Sequence, residues 1–351
     1  MEGGNVGART QVRTGIACAG NWIVDRVKLI DRLPRTGMLG NIISEAPGTG
    51  GSSFNVLADL ARLGAGFPLV GVGMIGKDIA GDYVRKICRD LRIDSRAVQR
   101  TDKAATSYTD VMTDAGTGER TFYHCRGANA LFGPEHVPVV RLKCRIFHLG
   151  YLLLLDRMDG PDRKFGTVAA RLLESVRAAG IKTSVDVVSE ESDRFCRIVP
   201  ASLRHTDYLI LNEIEAGRTT GIKVRKSSGR LDVRALERSI DALHELGDME
   251  MVCVHMPEGA CVRFRDGRRL ARGALDLPKG YIAGTVGAGD AFCAGMLYGL
   301  HEGWDAGECL KLGACAAAAC LRHPSATEGV GALRAVLKLS EKYPEKPAPL
   351  A

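Results

Sequence analysis

Short runs of hydrophobic residues alternate with longer stretches of mixed hydrophobic and polar residues along most of the chain. The short runs predict buried β-strands at residues 15–20, 146–149, 183–188, 208–211 and 251–254. Helical periodicity predicts α-helices at residues 56–64, 169–179 and from 235. Because strands that alternate with helices form a parallel sheet covered by helices, we expect one large α/β domain. We place this single domain at residues 14–340, between a flexible leader at 1–13 and a C-terminal tail at 341–351.

Two other segments, at residues 26–47 and 105–126, alternate hydrophobic and polar residues with the period of two that predicts half-exposed strands. The second segment contains the glycine-rich turn Asp114–Gly118. Because the two segments are similar in type, we expect both to contribute strands to a small sheet beside the main domain. Such a sheet could act as a lid that excludes water from a reactive ligand.

The stretch at residues 284–295 carries the clearest chemistry. Gly287 and Gly289 stand just before Asp290, and the run of small and apolar residues that follows predicts a buried helix. The backbone amides of residues 287–290 are then unobstructed at a helix N-terminus, which attracts an anion such as the terminal phosphate of a nucleotide. A carboxylate at this place could take a proton from an attacking hydroxyl. An ordinary capped core helix is the alternative interpretation.

The same residues, Gly-Thr-Val-Gly-Ala-Gly-Asp-Ala-Phe at 284–292, resemble the C-terminal signature of the ribokinase-like (PfkB) carbohydrate kinases, usually Asp-Thr-x-Gly-Ala-Gly-Asp-x-Phe. The resemblance implies a three-layer α/β/α fold with a mostly parallel central sheet and a small β lid. It also implies a kinase that transfers the γ-phosphoryl group of Mg·ATP to a primary hydroxyl of a carbohydrate. In this family Asp290 would be the general base. The resemblance assigns the anion hole to Gly287, Ala288 and Gly289, and ATP contacts to Thr285, Gly287 and Gly289.

One position departs from the family signature. Gly284 stands where relatives have an aspartate that helps to hold a monovalent cation behind the anion hole. Mg²⁺ and ATP are therefore expected from the resemblance, whereas K⁺ dependence is in doubt for this chain.

Candidate substrate-binding residues lie earlier in the chain. Asp25 follows the first predicted strand, and ligands of α/β sheets collect beyond the carboxyl ends of the strands. Gly50, Gly51 and Asn55 resemble the family's Gly-Gly-x-x-x-Asn sugar-binding signature, and Asn129 lies in a Gly-Ala-Asn sequence that relatives carry near the sugar. A turn or helix cap is the alternative role for Asp25, Asn55 and Asn129.

The sequence Asn212-Glu-Ile-Glu215 follows the strand predicted at 208–211. Residues three apart share a helical face, and an amide with a carboxylate suits a hydrated Mg²⁺ ion. The family's Asn-x-x-Glu motif occupies this position. A capping box explains the same residues without any metal.

Three further features need separate interpretation. Gly71–Gly76 matches G-x-G-x-x-G, but it lacks the βαβ context of a dinucleotide-binding fold. The segment His255-Met256-Pro257 stands where relatives have a loop that lies against the nucleotide, and we assign it no role. Arg126 could meet an anionic group of an acceptor, but we assign it no role either. The small-residue helix predicted at 313–320 allows close helix packing or a flat adenine nearby.

Composition narrows the classes of function. The formal charge of +7 suits an anionic ligand but is spread along the chain without a basic block, so nucleic-acid binding is not expected. The eleven cysteines show no C-x-x-C pair, and most lie in apolar runs, which favours reduced, buried thiols in a cytoplasmic protein. No apolar run has the length of a membrane span, so we expect no membrane partner.

The acceptor stays open at this stage. A pentose or ketohexose fits the ribokinase-like resemblance, and a nucleoside kinase of the same family shares its chemistry. A non-catalytic protein that binds a sugar or a nucleotide as a regulator is the alternative of a different class. A lid sheet with one apolar face could also pair with a second copy in a homodimer.

Overall fold

The computed structural model describes residues 13–350, so positions 1–12 of the predicted leader lie outside the described residues. A large sheet of mostly parallel strands has the order β15-β14-β13-β12-β11-β8-β1-β4-β5, and only β14 and β15 run antiparallel to their neighbours. In chain order the strands are β1 (Ile16–Gly20), β2 (Ile23–Ile30), β3 (Ile42–Gly50), β4 (Leu69–Gly76), β5 (Asp94–Thr101), β6 (Ser107–Asp114), β7 (Arg120–Cys125), β8 (Ile146–Leu152), β9 (Pro161–Asp162), β10 (Gly166–Thr167), β11 (Lys182–Val187), β12 (Tyr208–Asn212), β13 (Met251–Met256), β14 (Gly259–Phe264) and β15 (Arg269–Gly273).

Helices cover both faces of this sheet. They are α1 (Ser52–Leu63), α2 (Ile79–Asp90), α3 (Val168–Ala178), α4 (Phe195–Leu203), α5 (Glu213–Thr220), α6 (Val233–Leu246), α7 (Ala288–Glu302), α8 (Ala306–Cys320), α9 (Leu333–Leu337) and α10 (Leu339–Lys342). One hydrophobic core contains α1, α2, α7 and α8, and a second core on the opposite face contains α3, α4 and α6. Alternate residues of β1 enter the two cores, as Ile16 and Ala17 do. The predicted three-layer α/β/α fold is thus confirmed.

The small second sheet has the strand order β3-β2-β6-β7 and draws its strands from the two segments with the period of two. We call this sheet the lid. β2 pairs in parallel with β6, while β3 and β7 are antiparallel edge strands. Several large hydrophobic side chains of the lid and its connections are exposed, namely Leu33, Met38, Leu39, Ile42, Ile43 and Phe122.

The structure corrects one local expectation and supports another. Helix α1 begins at Ser52, four residues before the predicted start, because Gly51 adopts a φ of 82° that turns the chain into the helix. The G-x-G-x-x-G sequence lies within strand β4, as expected for a match without a dinucleotide-binding role. Its glycines are needed for packing, since a β-carbon at Gly73 would lie 2.2 Å from the Trp22 ring.

The C-terminal segment also contacts the main sheet region. The amide of Asp276 donates to the carbonyl of Pro344, and the amide of Lys346 donates to the carbonyl of Ala274. Among the described residues no helix is long and apolar enough to cross a membrane. All cysteines are free thiols, and most of them are buried.

Candidate active site

Two cavities meet at the beginning of helix α7. The polar cavity has a volume of about 600 Å³ and is lined by Asp25, Asn55, Asp186, Glu215, Asp290 and their neighbours. The apolar cavity has a volume of about 550 Å³ and is lined by Leu275, Ile282, Phe292, Ala317, Leu321 and their neighbours. Asn212, His255 and Gly289 line both cavities. A ligand in one cavity can therefore meet a ligand in the other at the N-terminus of α7.

The sheet explains why the polar groups converge. Tyr151, Asp186, Asn212 and His255 lie at the carboxyl ends of β8, β11, β12 and β13. These four parallel strands are neighbours in the sheet, so their carboxyl ends meet at one edge. This edge is where open α/β sheets bind ligands.

The N-terminus of α7 offers unpaired backbone amides. Gly287 caps the helix with a φ of 79°, and no side chain accepts a hydrogen bond from the first turn. A β-carbon at position 287 would lie 2.3 Å from the carbonyl oxygen of Ala326, so only glycine fits there. The amides of Ala288, Gly289 and Asp290 have no partner within the helix. Together with the helix dipole they form a site for an anion.

Asp290 is almost fully buried and lines the polar cavity, next to Gly289, which lines both cavities. The Asn55 side chain donates from Nδ2 to Oδ2 of Asp290 at 2.7 Å, and the Tyr151 hydroxyl lies 2.8 and 2.9 Å from the two carboxylate oxygens. Burial, and then the charge of Asp186, raises the pKa of Asp290 to about 6, while the bonds from Asn55 and Tyr151 oppose the rise. The carboxylate is thus ionised at neutral pH and close to the pKa range of a general base.

Asp25, the third residue of lid strand β2, faces the same cavity. Burial, and then the charge of Asp290, raises the pKa of Asp25 to about 7. A β-carbon at Gly50 would lie 2.3 Å from Oδ1 of Asp25, and one at Gly51 would lie 2.7 Å from the carbonyl oxygen of Asn21. Gly50 therefore lets the chain pass close to Asp25 and Gly51 lets it pass close to Asn21, and Gly51 itself lines the polar cavity.

Asn212 and Glu215 form a capping box at the start of α5. Asn212 Oδ1 accepts from the amides of Ile214 and Glu215 at 2.9 Å, and Glu215 Oε2 accepts from the Asn212 amide at 3.0 Å. Ser189 donates to the other oxygen of Glu215 at 2.7 Å. Burial raises the pKa of Glu215 to about 8. Because these oxygens are already hydrogen-bonded, a Mg²⁺ ion would fit here through its water molecules.

Asn129 lies outside the polar cavity, whereas Arg126 lines it with part of its guanidinium bound to protein groups. Asn129 is fully buried outside the cavity lining, where Oδ1 accepts from the Trp22 amide at 3.2 Å and Nδ2 lies 3.3 Å from Asn21 Oδ1. The Asn129 side chain therefore lies outside the site, because its amide group binds Asn21 and Trp22, which follow β1. Arg126 lines the polar cavity, but its guanidinium donates to the Leu153 carbonyl at 3.0 Å and pairs with Asp156 at 3.2 Å.

Sequence reasoning missed Tyr151, Asp186 and His255 as members of the site. Asp186 accepts a hydrogen bond from Ser52 at 2.6 Å and keeps its other oxygen buried without a partner. Burial lowers the pKa of His255 to about 4, so its ring is neutral at neutral pH. A β-carbon on Gly289 would lie 3.2 Å from this ring. The sequence signal that could have identified these residues is their position, since each lies at the end of a predicted parallel strand or within a few residues after it.

The apolar cavity has one wall made of small residues. Ala314, Ala317 and Ala318 of α8 line it, and the neighbouring Gly313 packs against Phe292 of α7. The small residues thus serve both uses considered from the sequence, close packing and a flat wall. Thr285, Ala288 and Lys346 also line this cavity.

Comparisons with known proteins agree with this geometry. The model of the pfkB family carbohydrate kinases matches residues 13–331. Ribokinase of Arabidopsis thaliana is 25% identical over 313 residues, which cover 88% of this chain and 76% of that protein. Aminoimidazole riboside kinase of Salmonella typhimurium is 27% identical over 267 residues, covering 73% of this chain and 75% of that protein. The structure of A. thaliana ribokinase with ribose and ATP has a TM-score of 0.74 at 22% identity and covers 93% of this chain and 98% of the other.

The family model spans most of the chain, and the fold and the glycine-rich helix start agree with it. The protein therefore belongs to the pfkB family of carbohydrate kinases, which are phosphotransferases acting on a hydroxyl group.

Proposed function

We propose that the protein transfers the γ-phosphoryl group of ATP to a primary hydroxyl of a neutral carbohydrate such as a pentose or a ketohexose. The observation that carries this proposal is the position of Asp290. Its carboxylate lies beside the unpaired amides of α7, at the junction of a polar and an apolar cavity. A base and an anion site in contact are what phosphoryl transfer to a hydroxyl requires.

In the proposed reaction ATP occupies the apolar cavity and the acceptor occupies the polar one. The acceptor oxygen attacks the γ-phosphorus, its proton passes to Asp290, and the bond from phosphorus to the β,γ-bridging oxygen of ATP breaks to leave ADP. The amides of Ala288, Gly289 and Asp290 stabilise the charge on the transferred group. Asn55 and Tyr151 hold the carboxylate in one orientation, because they bind its two oxygens.

Asn212 and Glu215 would hold Mg²⁺ through water, with Asp186 as a further candidate because Oδ1 is buried and unpartnered. When bound, the ion would neutralise charge on the phosphates of ATP. The burial that raises the pKa of Glu215 also makes a nearby divalent cation favourable, since the cation would stabilise the ionised carboxylate.

The charge of the polar cavity supports a neutral acceptor. Asp25, Asp186, Glu215 and Asp290 all line it, and Arg126 is already paired with Asp156. Carboxylates and amides bind sugar hydroxyls well, and the carboxylates repel a sugar phosphate. A nucleoside is the second candidate, because the exposed ring of Phe122 lines the same cavity and could stack on a base.

The test is phosphoryl transfer from Mg·ATP by the purified protein to matched panels of free sugars, sugar phosphates and nucleosides. We expect turnover with a free sugar and none with its phosphate ester. Fast turnover of a nucleoside alone would select the second candidate. Binding of ATP and a sugar without any turnover would refute the kinase proposal and support the regulator alternative.

We also propose that the lid pairs with a second copy of the chain. The exposed side chains of Leu39, Ile42 and Ile43 form an apolar surface on its edge strand β3 and the preceding connection. Light scattering should find a dimer that Ile42→Glu with Ile43→Glu converts to a monomer. A monomer in the unsubstituted protein would refute this pairing.

A further inference from the structure

Arg120, at the beginning of lid strand β7, lies against Gly284, where the chain enters the anion hole. A β-carbon on Gly284 would be 2.7 Å from the guanidinium Nη2 and 2.8 Å from the carbonyl oxygen of His323. Gly284 is itself buried in this contact. The space that a side chain at position 284 would need is therefore filled by the guanidinium of Arg120.

The charge of Arg120 has no counter-ion nearby. No carboxylate in residues 13–350 lies within 4.0 Å of its guanidinium, and Nη1 is buried without a hydrogen-bond partner. Burial lowers the pKa of Arg120 from its usual value, but an arginine side chain stays charged at neutral pH. Because an unpaired and partly buried cation is costly, this arrangement argues for a role that a solvated arginine would not have.

The rear of the anion-hole loop presents the carbonyl oxygen of Val286. The Cys320 thiol donates to the carbonyl of Val286 at 3.3 Å and to that of Ala326 at 3.0 Å. The Arg120 guanidinium lies beside Gly284, two residues before Val286 in the same loop. The carbonyl and the N–H of one peptide group point in opposite directions. A peptide whose carbonyl faces the rear of the loop therefore directs its N–H toward the anion at the front. A cation behind the loop stabilises that orientation.

Arg120 shares one face of β7 with two residues of the polar cavity. Alternate residues of a strand point to the same side, so Arg120, Phe122 and His124 lie on one face. Phe122 and His124 line the polar cavity, and Nε2 of His124 is buried without a partner. A ligand that contacts these two side chains will therefore also fix the position of Arg120.

We propose that Arg120 is a positioning residue that serves as a built-in cation behind the anion hole and couples acceptor binding under the lid to the phosphate-binding loop. This inference rests on the proposed kinase function and adds a residue that lines neither cavity. Since the guanidinium already fills the space beside Gly284, turnover should not depend on which monovalent cation is in solution.

The experiment compares the unsubstituted protein with Arg120→Ala and Arg120→Lys, and uses Arg35→Ala as the matched control. Arg35 is an exposed arginine in the β2–β3 connection of the same lid. Turnover is measured in potassium, sodium and choline chloride at equal ionic strength, with and without millimolar guanidinium chloride. The affinity for Mg·ATP is measured by calorimetry without an acceptor.

We expect equal turnover of the unsubstituted protein in the three salts. Arg120→Ala should lower turnover about tenfold, which corresponds to the loss of one modest electrostatic contact. Guanidinium or the Arg120→Lys change should restore part of it, and Arg35→Ala should change nothing. A strong potassium requirement of the unsubstituted protein, or full activity of Arg120→Ala in every salt, would overturn the inference.

The calorimetric arm separates this inference from the proposed function. If the unsubstituted protein turns over no acceptor, the proposed function fails. Weaker Mg·ATP binding by Arg120→Ala than by Arg35→Ala would then still support the role of Arg120 behind the loop, and equal affinities would overturn it.

Discussion

The polar and apolar cavities lie side by side, share Gly289 and His255, and have similar volumes, yet their walls differ in one physical respect. In the described part of the chain, three residues that line the polar cavity each carry a buried polar atom without a hydrogen-bond partner, namely Asn55, Asp186 and His124. The lining of the apolar cavity contains no such atom among the residues that the structure describes. Unsatisfied buried polar groups are costly, so the polar cavity is suited to a ligand that supplies hydrogen bonds.

The apolar cavity instead offers shape. One of its walls consists of alanines of α8, and Thr285 and Lys346 add polar side chains elsewhere in the lining. If both cavities bind ligands as proposed, hydrogen bonds should select the ligand of the first and surface fit that of the second. Changes in the two cavities should therefore have separable kinetic effects.

The largest effect is expected from Asp290→Asn. An asparagine side chain cannot take up the proton that the acceptor hydroxyl loses in the proposed reaction. We expect kcat to fall by about 10²–10⁴-fold, while Mg·ATP still binds, because the asparagine keeps the size of the side chain. Single-turnover kinetics and calorimetry on the same sample check both parts. Unchanged turnover would remove the assignment of Asp290 as the base.

The apolar side can be tested with Ala317→Leu, which adds volume to the flat wall. We expect the KM for ATP to rise about tenfold or more while the KM for the acceptor is unchanged. Ala335→Leu, at an exposed position of α9, is the control for adding a leucine. If both KM values rise together, the two cavities are not separate sites.

The shared edge can be tested with Glu215→Gln, which keeps a capping box but removes the charge. We expect several-fold more Mg²⁺ to be needed for half-maximal turnover, with little change in melting temperature. Glu245→Gln, at an exposed position of α6, is the control for charge. A Mg²⁺ titration identical to that of the control would count against a metal at this edge.

The smallest expected effect concerns the pH dependence. Asp290 must be ionised to act as a base, and its pKa is raised to about 6, so turnover should fall as the pH drops through about 6. Tyr151→Phe removes a hydrogen bond that favours the ionised carboxylate. The acid limb should therefore move to higher pH, with turnover at pH 6 reduced about threefold to tenfold. Tyr123→Phe, on the outer part of the lid, should leave the profile in place.

Much of the fold was predictable because its signals are local. The hydrophobic runs and periodic segments indicated the alternation of strands and helices. The predicted elements differ from the observed ones at their ends, as at β8 and α1, while β5, β14, β15 and α4 had not been predicted. The start of α7 was also predictable, since the conformational freedom of Gly287 and Gly289 is a property of those residues themselves.

The site was predictable only in part. Asp25, Gly51, Asn55 and Asp290 meet in one cavity, as the motifs suggested, but Asn129 does not reach it. The motif could not distinguish an amide that contacts a ligand from one that fixes the Trp22 backbone, because the difference lies in the neighbouring chain. For the same reason the sequence favoured a metal role for Asn212 and Glu215 but could not exclude a helix cap.

The sequence by itself determined the α/β alternation, the small lid sheet and the helix start with its acidic residue, because each depends on residues adjacent in the chain. Only the tertiary structure decided that Tyr151 and Asn55 bind Asp290 and that Arg120 fills the space at Gly284. These pairs are far apart in sequence and meet only after parallel strands align their ends and the lid packs over them. Long-range packing of this kind leaves no periodic or local signal to read.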